Sequence, residues 1–245
     1  MELGEIITDA IKYPTSNIKA LLLYIVLGFV IGIIEVLTGT TGMTSGTVKF
    51  QSGPILGIIG IILVLCISFL MLGFSTDVIK FSIERRADAP EIDFARQIMN
   101  GIKYIIVCVV YMIVPIIVMV VLGVIFQSWL ATILGLIIAI IFAFALAIGI
   151  CRLAKTDSLG HALDIGGAIE DLQAIGIGKV IITMVVATVV GFVIIFVLSF
   201  ILGLILSIAS SAVIAVVVAI FASMFDAWLL FYENRVMGLL YSDIA

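Results

Sequence analysis

The chain has 245 residues, of which 64% are hydrophobic, and its mean hydropathy is +1.43. Soluble domains contain about 45–50% apolar residues, so a water-soluble fold of this size could not hide so much apolar surface. The composition therefore predicts an integral membrane protein. The formal net charge of −4 and the lack of a basic cluster argue against a nucleic-acid partner.

Six apolar stretches are long enough to cross a bilayer as helices, since a crossing needs about 20 residues. They are residues 18–38, 54–75, 102–125, 129–151, 180–205 and 211–232. Because they occupy more than half of the chain, no separate soluble domain fits between them. We expect one all-α membrane domain that covers residues 1–245.

Positive charges are distributed unevenly over this six-span topology. Eleven of the twelve Lys and Arg residues fall on the side of the two termini, and only Lys49 falls on the other side. Loops rich in Lys and Arg stay in the cytoplasm, so both termini are predicted to be cytoplasmic in a multi-pass cell-membrane protein. The same segments carry fourteen acidic residues, so this face is zwitterionic and is not a polybasic block for anionic lipid. The fourteen are Glu2, Glu5, Asp9, Asp77, Glu84, Asp88, Glu91, Asp93, Asp157, Asp164, Glu170, Asp171, Glu233 and Asp243.

A stretch with the pattern of a surface helix precedes each pair of spans. The first is residues 2–13, which Pro14 is expected to end; the second begins after Pro90, and the third covers residues 162–172. In each of them apolar and charged residues fall on opposite sides at helical spacing. The pattern predicts cytoplasmic amphipathic helices that lie in the membrane surface with their apolar side toward lipid.

The predicted fold is therefore six transmembrane helices in three hairpins, each preceded by one interfacial helix. The pseudo-repeats cover about residues 1–80, 90–155 and 160–245, and a Lys follows an apolar or Gly residue at each junction, at Lys19, Lys103 and Lys179. Either a true internal repeat or the shared constraints of a membrane explains this pattern.

Two ionisable residues lie inside the predicted spans, Glu35 and Asp226. Such residues are costly in lipid and are functional candidates by default. Glu35 lies near the outer end of its span, where its side chain can extend into the headgroups. Asp226 lies deeper and has three open interpretations. It could form an ion pair with Arg152 or Lys80, stay protonated, or line a path for a solute or a proton.

Three further residues carry structural predictions. Gly28 and Gly32 are four residues apart, a spacing that lets two membrane helices approach closely. Pro115 removes one backbone hydrogen bond from the third span, which predicts a kink there.

No pattern of a known catalytic or metal site is present in the sequence. His161 is the only histidine, and no cluster of other metal ligands surrounds it. Cys66, Cys108 and Cys151 lie in apolar stretches, where they are expected to be packed thiols and not a disulfide framework. We therefore expect no catalytic, cofactor-binding or metal-binding residue, and no enzyme.

Three short motifs carry a family resemblance. They are the run from Phe94 to Tyr104 with its continuation from Tyr111 to Pro115, the pair Tyr13-Pro14, and the ending from Asn234 to Tyr241. Together they resemble an archaeal polytopic membrane family of unknown function, chiefly of methanogens, that is distantly similar to the membrane domains of some glycerophosphodiesterases. The resemblance implies a helical bundle with surface helices and no assigned activity. Residues 86–90 depart from the pattern of that family, and no functional residue carries over.

Two functions from different classes fit these features. The first is a non-enzymatic membrane component that organises lipid or docks a protein partner or a second copy, with its interfacial helices as the working surface. The second is a transporter or permease for a small or lipidic solute, with Asp226 on its path. The first is favoured because the spans contain few polar groups.

Overall fold

The computed structural model of the chain describes residues 1–38, 53–126, 129–206 and 211–245. These residues form helices and the short segments between them. The helices are α1 (Leu3–Ser16), α2 (Ile18–Thr38), α3 (Pro54–Ile83), α4 (Phe94–Phe126), α5 (Trp129–Thr156), α6 (Leu159–Ala162), α7 (Ile165–Ile175), α8 (Ile177–Leu206) and α9 (Ser211–Tyr241). The described part of the protein is thus all-α, as predicted.

Five helices of the described residues are long and apolar enough to cross a membrane. They are α2 over Ile18–Glu35, α3 over Pro54–Ile83, α4 over Phe94–Phe126, α5 over Thr132–Thr156 and α8 over Ile177–Leu206. This confirms that the chain is a multi-pass membrane protein. The sixth predicted span falls on α9, where most side chains before Met224 lie outside the described part, so that span stays a prediction.

The protein core lies in the halves of the long helices nearest the chain termini. Most buried residues of α3 lie between Leu70 and Ile83, and those of α4 lie between Gln97 and Pro115. Toward the other end of the bundle, apolar side chains are open, with Val124 71% exposed and Phe200 60% exposed. An apolar surface of this kind is stable only in lipid, so one half of the bundle is closed by protein contacts and the other faces the membrane.

Two glycines set the close contact between α3 and α4. A Cβ atom at Gly73 would overlap the carbonyl of Gln97, and one at Gly101 would overlap the carbonyl of Phe69. Small residues let helix backbones approach where lipid provides no hydrophobic drive. Gly28 and Gly32 were expected to do this, but among the described residues no atom lies within 4 Å of a Cβ added at either position. Their packing role stays without support.

The first predicted surface helix is packed into the bundle instead of facing lipid. Ile6 and Ala10 of α1 are fully buried, and α1 packs against α9. The prediction that this apolar side faces the membrane is therefore wrong, because α9 covers it. The helix also continues past Pro14 to Ser16. One missing backbone hydrogen bond does not end a helix whose Tyr13 and Pro14 are themselves buried.

The second predicted surface helix is not a separate element. The chain is non-helical from Pro90 to Asp93, and α4 then runs without interruption from Phe94 to Phe126, through the buried Pro115. Gln97 is fully buried whereas Met99 is 55% exposed. Gln97 of the predicted polar side therefore faces the protein, where Asp77 of α3 provides a hydrogen-bond partner, whereas Arg96 of the same side and the apolar Met99 are exposed.

The third predicted surface stretch forms two helices, α6 and α7. The side chain of Asp164 separates them and caps α7, since its Oδ1 accepts a hydrogen bond from the Gly167 N–H at 3.0 Å. Ala168 and Leu172 are buried where α7 packs against α5 and α8. As in α1, protein covers the apolar side of the helix.

Candidate functional site

The ion pairs of the described residues gather at the end of the bundle that carries both termini. We call this end the polar cap; it comprises α1, residues 84–93, α6, α7, the last turns of α3, α5 and α9, and the first turns of α4 and α8. The amine of Met1 lies 2.7 Å from Oδ1 of Asp243, so the two ends of the chain meet there. The charges that the sequence distributes over separate loops are therefore brought together in one layer.

Arg235 of α9 is buried at the centre of this layer, with its side chain 3% exposed. Its Nε donates to Oδ1 of Asp9 at 2.6 Å, and its Nη1 donates to the carbonyl of Arg86 at 2.6 Å. The guanidinium also lies 4.6 Å above the ring of Tyr13. Burial raises the pKa of Tyr13 to about 12, although the positive charge of Arg235 opposes this shift. Arg235 thus connects α9 with α1 and the segment after α3.

A second cluster connects α8 with the end of α9. Nζ of Lys179 donates to Oδ2 of Asp243 at 2.6 Å and to the carbonyl of Met1 at 3.0 Å. Burial acts to raise the pKa of Asp243. The hydrogen bonds from Lys179 and the Met1 amine outweigh burial and hold this pKa below its usual value.

Arg152, a predicted partner of Asp226, is engaged elsewhere. Its Nη1 donates to Oδ2 of Asp171 at 2.8 Å and its Nη2 lies 3.4 Å from Oδ2 of Asp164. The hydroxyl of Tyr241 also donates to Asp171, at 2.8 Å. Arg152 therefore fixes α5 to α7 and the end of α9, and is not free to balance a charge deeper in the membrane.

The fourth cluster joins α3 to the start of α4. The side chain of Asp77 is 3% exposed; its Oδ2 accepts from Nε2 of Gln97 at 3.0 Å and lies 3.0 Å from Nη2 of Arg96. Oε1 of Gln97 is buried with no hydrogen-bond partner among the described residues. In these four clusters most charged side chains pair with an opposite charge on another segment, so the polar cap holds the helices together.

A lateral crevice of about 440 Å³ lies between α5 and α8. Its walls include Ala143, Phe144 and Ala147 of α5, and Met184, Val185 and Val189 of α8. It continues into a cavity of about 230 Å³ against α9, because the two share Met184, Thr188 and Met237. We call the two together the α5–α8 crevice. Val185 and Val189 are each 55% exposed, so the crevice opens toward the lipid-facing surface.

One carboxylate lines the inner part of this crevice. Glu233 of α9 is exposed there, beside Met184, Ala187 and Thr188 of α8. The hydroxyl of the neighbouring Tyr232 donates to the carbonyl of Ala187 at 3.1 Å, which fixes this part of α9 against α8. Ala187 is eight residues beyond Lys179, about 12 Å along a helix that rises about 1.5 Å per residue. Glu233 is two residues, about 3 Å along the helix, before Arg235, so it lies at the membrane-facing edge of the polar cap.

Sequence reasoning counted Glu233 among the cytoplasmic acidic residues and overlooked this position. The signal that could have found it is its spacing from Asp226. Seven residues are two helical turns, so the two carboxylates lie on the same side of α9, about 10 Å apart along the helix axis. Asp226 is exposed, and among the described residues it forms no ion pair with Arg152 or Lys80.

The other predicted candidates lie apart from the crevice. Glu35 is half-buried near the end of α2, and Lys80 is half-buried in the last turn of α3. Neither side chain forms an ion pair with another described residue. Within the described residues no group of three or more His, Cys, Asp and Glu side chains could hold a metal ion.

Comparison with known protein families identifies the family of the chain. A model of the family described as a protein of unknown function, DUF4013, matches residues 55–203, which is more than half of the chain. The chain belongs to the DUF4013 family. No curated protein and no solved structure matches it.

The matched region of this DUF4013 protein runs from α3 into α8 and includes both walls of the α5–α8 crevice. Glu233 and Asp226 lie on α9, beyond the matched residues. The match supports the predicted polytopic family of unknown function. The archaeal origin and the distant likeness to glycerophosphodiesterase membrane domains stay predictions.

Proposed function

We propose that this DUF4013 protein is a non-enzymatic membrane component that binds lipid in the α5–α8 crevice and so organises lipid around it. The observation that carries this proposal is the crevice itself, an apolar cleft of about 440 Å³ at membrane depth. Apolar clefts of roughly 300–1,000 Å³ are typical of small-molecule sites. The surface helices were the expected lipid-binding surface. Protein covers the apolar sides of α1 and α7, so these helices support lipid binding less than the crevice does.

Membrane lipid is the partner that the surroundings of the crevice favour. Its mouth is bordered by lipid-facing side chains, such as Val185 and Val189, so an acyl chain can enter sideways without crossing water. An acyl chain that enters the crevice packs against protein side chains. Its dispersion contacts with Phe144 and Met184 stabilise the bound state. A homo-oligomer or a protein partner that fills the same cleft is the alternative occupant.

The proposed topology is six spans with both termini in the cytoplasm. The contact of Met1 with Asp243 supports an even number of crossings, because it places both ends of the chain at one end of the bundle. Lys179 at the start of α8 contacts the same Asp243, so α8 leaves the polar cap and α9 returns to it. The positive charges of the cap favour the cytoplasmic side.

The first experiment compares two substitutions on α5. Ala147→Phe places a ring inside the crevice, whereas Ile141→Phe changes a lipid-facing side chain that is 50% exposed. The protein is purified in dodecyl maltoside and the lipid that stays bound is quantified by native mass spectrometry. We expect wild type and Ile141→Phe to retain lipid and Ala147→Phe to lose most of it. Equal retention in all three proteins would exclude the crevice as the lipid site.

A permease for a small or lipidic solute is the second candidate function. It is favoured by the position of Asp226, two turns deeper than Glu233 on the same side of α9. In this case Asp226→Asn should reduce substrate-dependent flux in proteoliposomes, while lipid retention stays unchanged. Flux that the substitution leaves intact would remove the residue on which this candidate depends.

A further inference from the structure

We propose that the α5–α8 crevice selects amphiphiles with a positively charged amine, and that Glu233 binds the ammonium group. This inference rests on the proposed function, because it assumes that the crevice holds an apolar chain. It adds the chemical class of the ligand: a membrane-soluble amine, whose apolar body lies between α5 and α8 and whose cationic end meets the carboxylate of α9.

The position of Glu233 is the first support. The carboxylate lines the crevice beside Met184, Ala187 and Thr188 of α8. The hydroxyl of Thr188 donates to the carbonyl of Met184 at 2.8 Å, so this hydroxyl is already used by its own helix. Glu233 is the one ionisable side chain among the residues described as lining the crevice.

The charge balance is the second support. Among the described residues Glu233 has neither an ion pair nor a hydrogen bond, whereas Arg152 and Arg235 of the polar cap are paired with other carboxylates. A carboxylate at the edge of lipid is costly to leave ionised without a partner. A ligand that brings its own cation removes this cost and gains a charge-assisted hydrogen bond.

The same charge argues against other occupants of the crevice. An anionic amphiphile would place two negative charges in one apolar cleft, where screening by water is weak. A neutral chain would fill the walls but leave Glu233 unpaired.

The test uses dodecylamine as the probe, with dodecanol and dodecanoate as neutral and anionic chains of equal length. Binding to the full-length protein in dodecyl maltoside is measured from the rise in thermal midpoint with probe concentration, since a ligand that binds only the folded state stabilises it. Wild type should bind dodecylamine about tenfold more tightly than dodecanol, as expected for one charge-assisted hydrogen bond. Dodecanoate should bind most weakly.

Two variants separate charge from shape. Glu233→Gln keeps the side-chain volume and should reduce the affinity for dodecylamine to that for dodecanol. Glu170→Gln removes one carboxylate from the exposed side of α7 and should behave as wild type, which controls for the net charge of the protein–micelle particle. Ala147→Phe should weaken all three probes, because it fills the cleft.

The outcomes distinguish this inference from the proposed function. If amine and alcohol bind equally and Glu233→Gln changes neither, the crevice holds apolar chains without charge selection, and the inference is wrong. If Ala147→Phe leaves every affinity unchanged, the probes bind elsewhere and the proposed function is wrong as well. A drop from dimer to monomer in Ala147→Phe would assign the crevice to a second copy and overturn both.

Discussion

Arg235 is the residue on which the polar cap most depends. Its buried guanidinium holds Asp9 and the Arg86 carbonyl, each at 2.6 Å. We expect Arg235→Met to lower the free energy of unfolding by about 2–4 kcal/mol, because Asp9 and the Arg86 carbonyl both lose the buried, charged donor that joins them to α9. The change is measured by unfolding in mixed micelles of dodecyl maltoside and SDS.

Arg85 provides the matched control for this prediction. Its side chain is 53% exposed and its Nη2 lies 3.3 Å from Oδ1 of Asp243. Exposed ion pairs contribute about 0–1 kcal/mol, so Arg85→Met should have a small effect. Similar effects at both arginines would show that burial of Arg235 does not set its contribution.

Asp243 gives the polar cap a dependence on pH. Its folded pKa is lowered, so the unfolded state binds the proton more tightly. The stabilisation is therefore present above the unfolded pKa of about 3.9 and is lost as the pH falls through the folded pKa. We expect Asp243→Asn to lower the thermal midpoint at pH 7, with a difference from wild type that shrinks below about pH 4. A difference that stays constant down to pH 3 would show that the carboxylate is not held in its charged form.

At the scale of helices, the contact of α3 with α4 depends on the absence of side chains at Gly73 and Gly101. An added Cβ at either position would overlap a backbone carbonyl of the facing helix. We expect Gly73→Ala and Gly101→Ala each to destabilise the fold by about 1–3 kcal/mol or more, as overpacking does when backbone must move. Thermal unfolding of the purified protein measures the change.

Gly123 of α4 is the control for this pair. A Cβ there has no atom of the described structure within 4 Å, and Ala favours a helix over Gly by about 0.8–1.0 kcal/mol in water. Gly123→Ala should therefore be neutral or slightly stabilising. If all three substitutions gave the same result, close packing of α3 on α4 could not be the cause.

The sequence was sufficient for the long helices because an apolar run of about 20 residues has few other stable environments than lipid. It was not sufficient for the faces of the shorter ones. The alternation in residues 2–13 shows that α1 has an apolar side, but lipid and the buried surface of α9 select the same side chains. In α4 the polar Gln97 turns inward because Asp77 provides its hydrogen-bond partner, a contact that the helical pattern does not show.

The candidate site was harder to predict for a related reason. Asp226 was found because it interrupts an apolar run, whereas Glu233 follows that run and was taken for a cytoplasmic residue. Its depth depends on where Tyr232 meets Ala187 of α8, a contact between distant parts of the chain. Gly73 and Gly101 were likewise visible as glycines, but the backbone that faces each of them is set by tertiary packing alone.

For the whole molecule, the polar cap fixes the helices at one end, and the crevice provides the proposed binding site. The ion pairs of Arg235, Arg152 and Lys179 hold α1, α5, α7, α8 and α9 at one end. The apolar halves of α5 and α8 extend into lipid with open surfaces. In a bundle that is fixed at one end, two helices can move apart further along without unfolding of the protein. The cleft between α5 and α8 lies next to the fixed end. This arrangement favours lateral entry of a ligand over passage through a central channel.

The orientation of the cap can be tested by labelling from one side of the membrane. In a background with Cys66, Cys108 and Cys151 replaced by Ala, we expect Ser45→Cys to react with a membrane-impermeant maleimide in intact cells. Glu170→Cys, on the exposed side of α7, should react only after the membrane is opened. The reason is that Lys49 is the one basic residue on the predicted outer side, against eleven at the cap.

The comparison of these two positions also tests the number of spans. A third variant, Ser242→Cys, follows α9, whose end contacts the start of α8 through Asp243 and Lys179. With six spans it shares the cytoplasmic side with Glu170→Cys and stays unlabelled in intact cells. Labelling of Ser242→Cys from outside while Glu170→Cys stays protected would contradict the proposed six spans, in which Met1 and Asp243 lie at the same end of the bundle. The proposed topology therefore predicts one labelling pattern in intact cells: Ser45→Cys reacts, whereas Glu170→Cys and Ser242→Cys are protected.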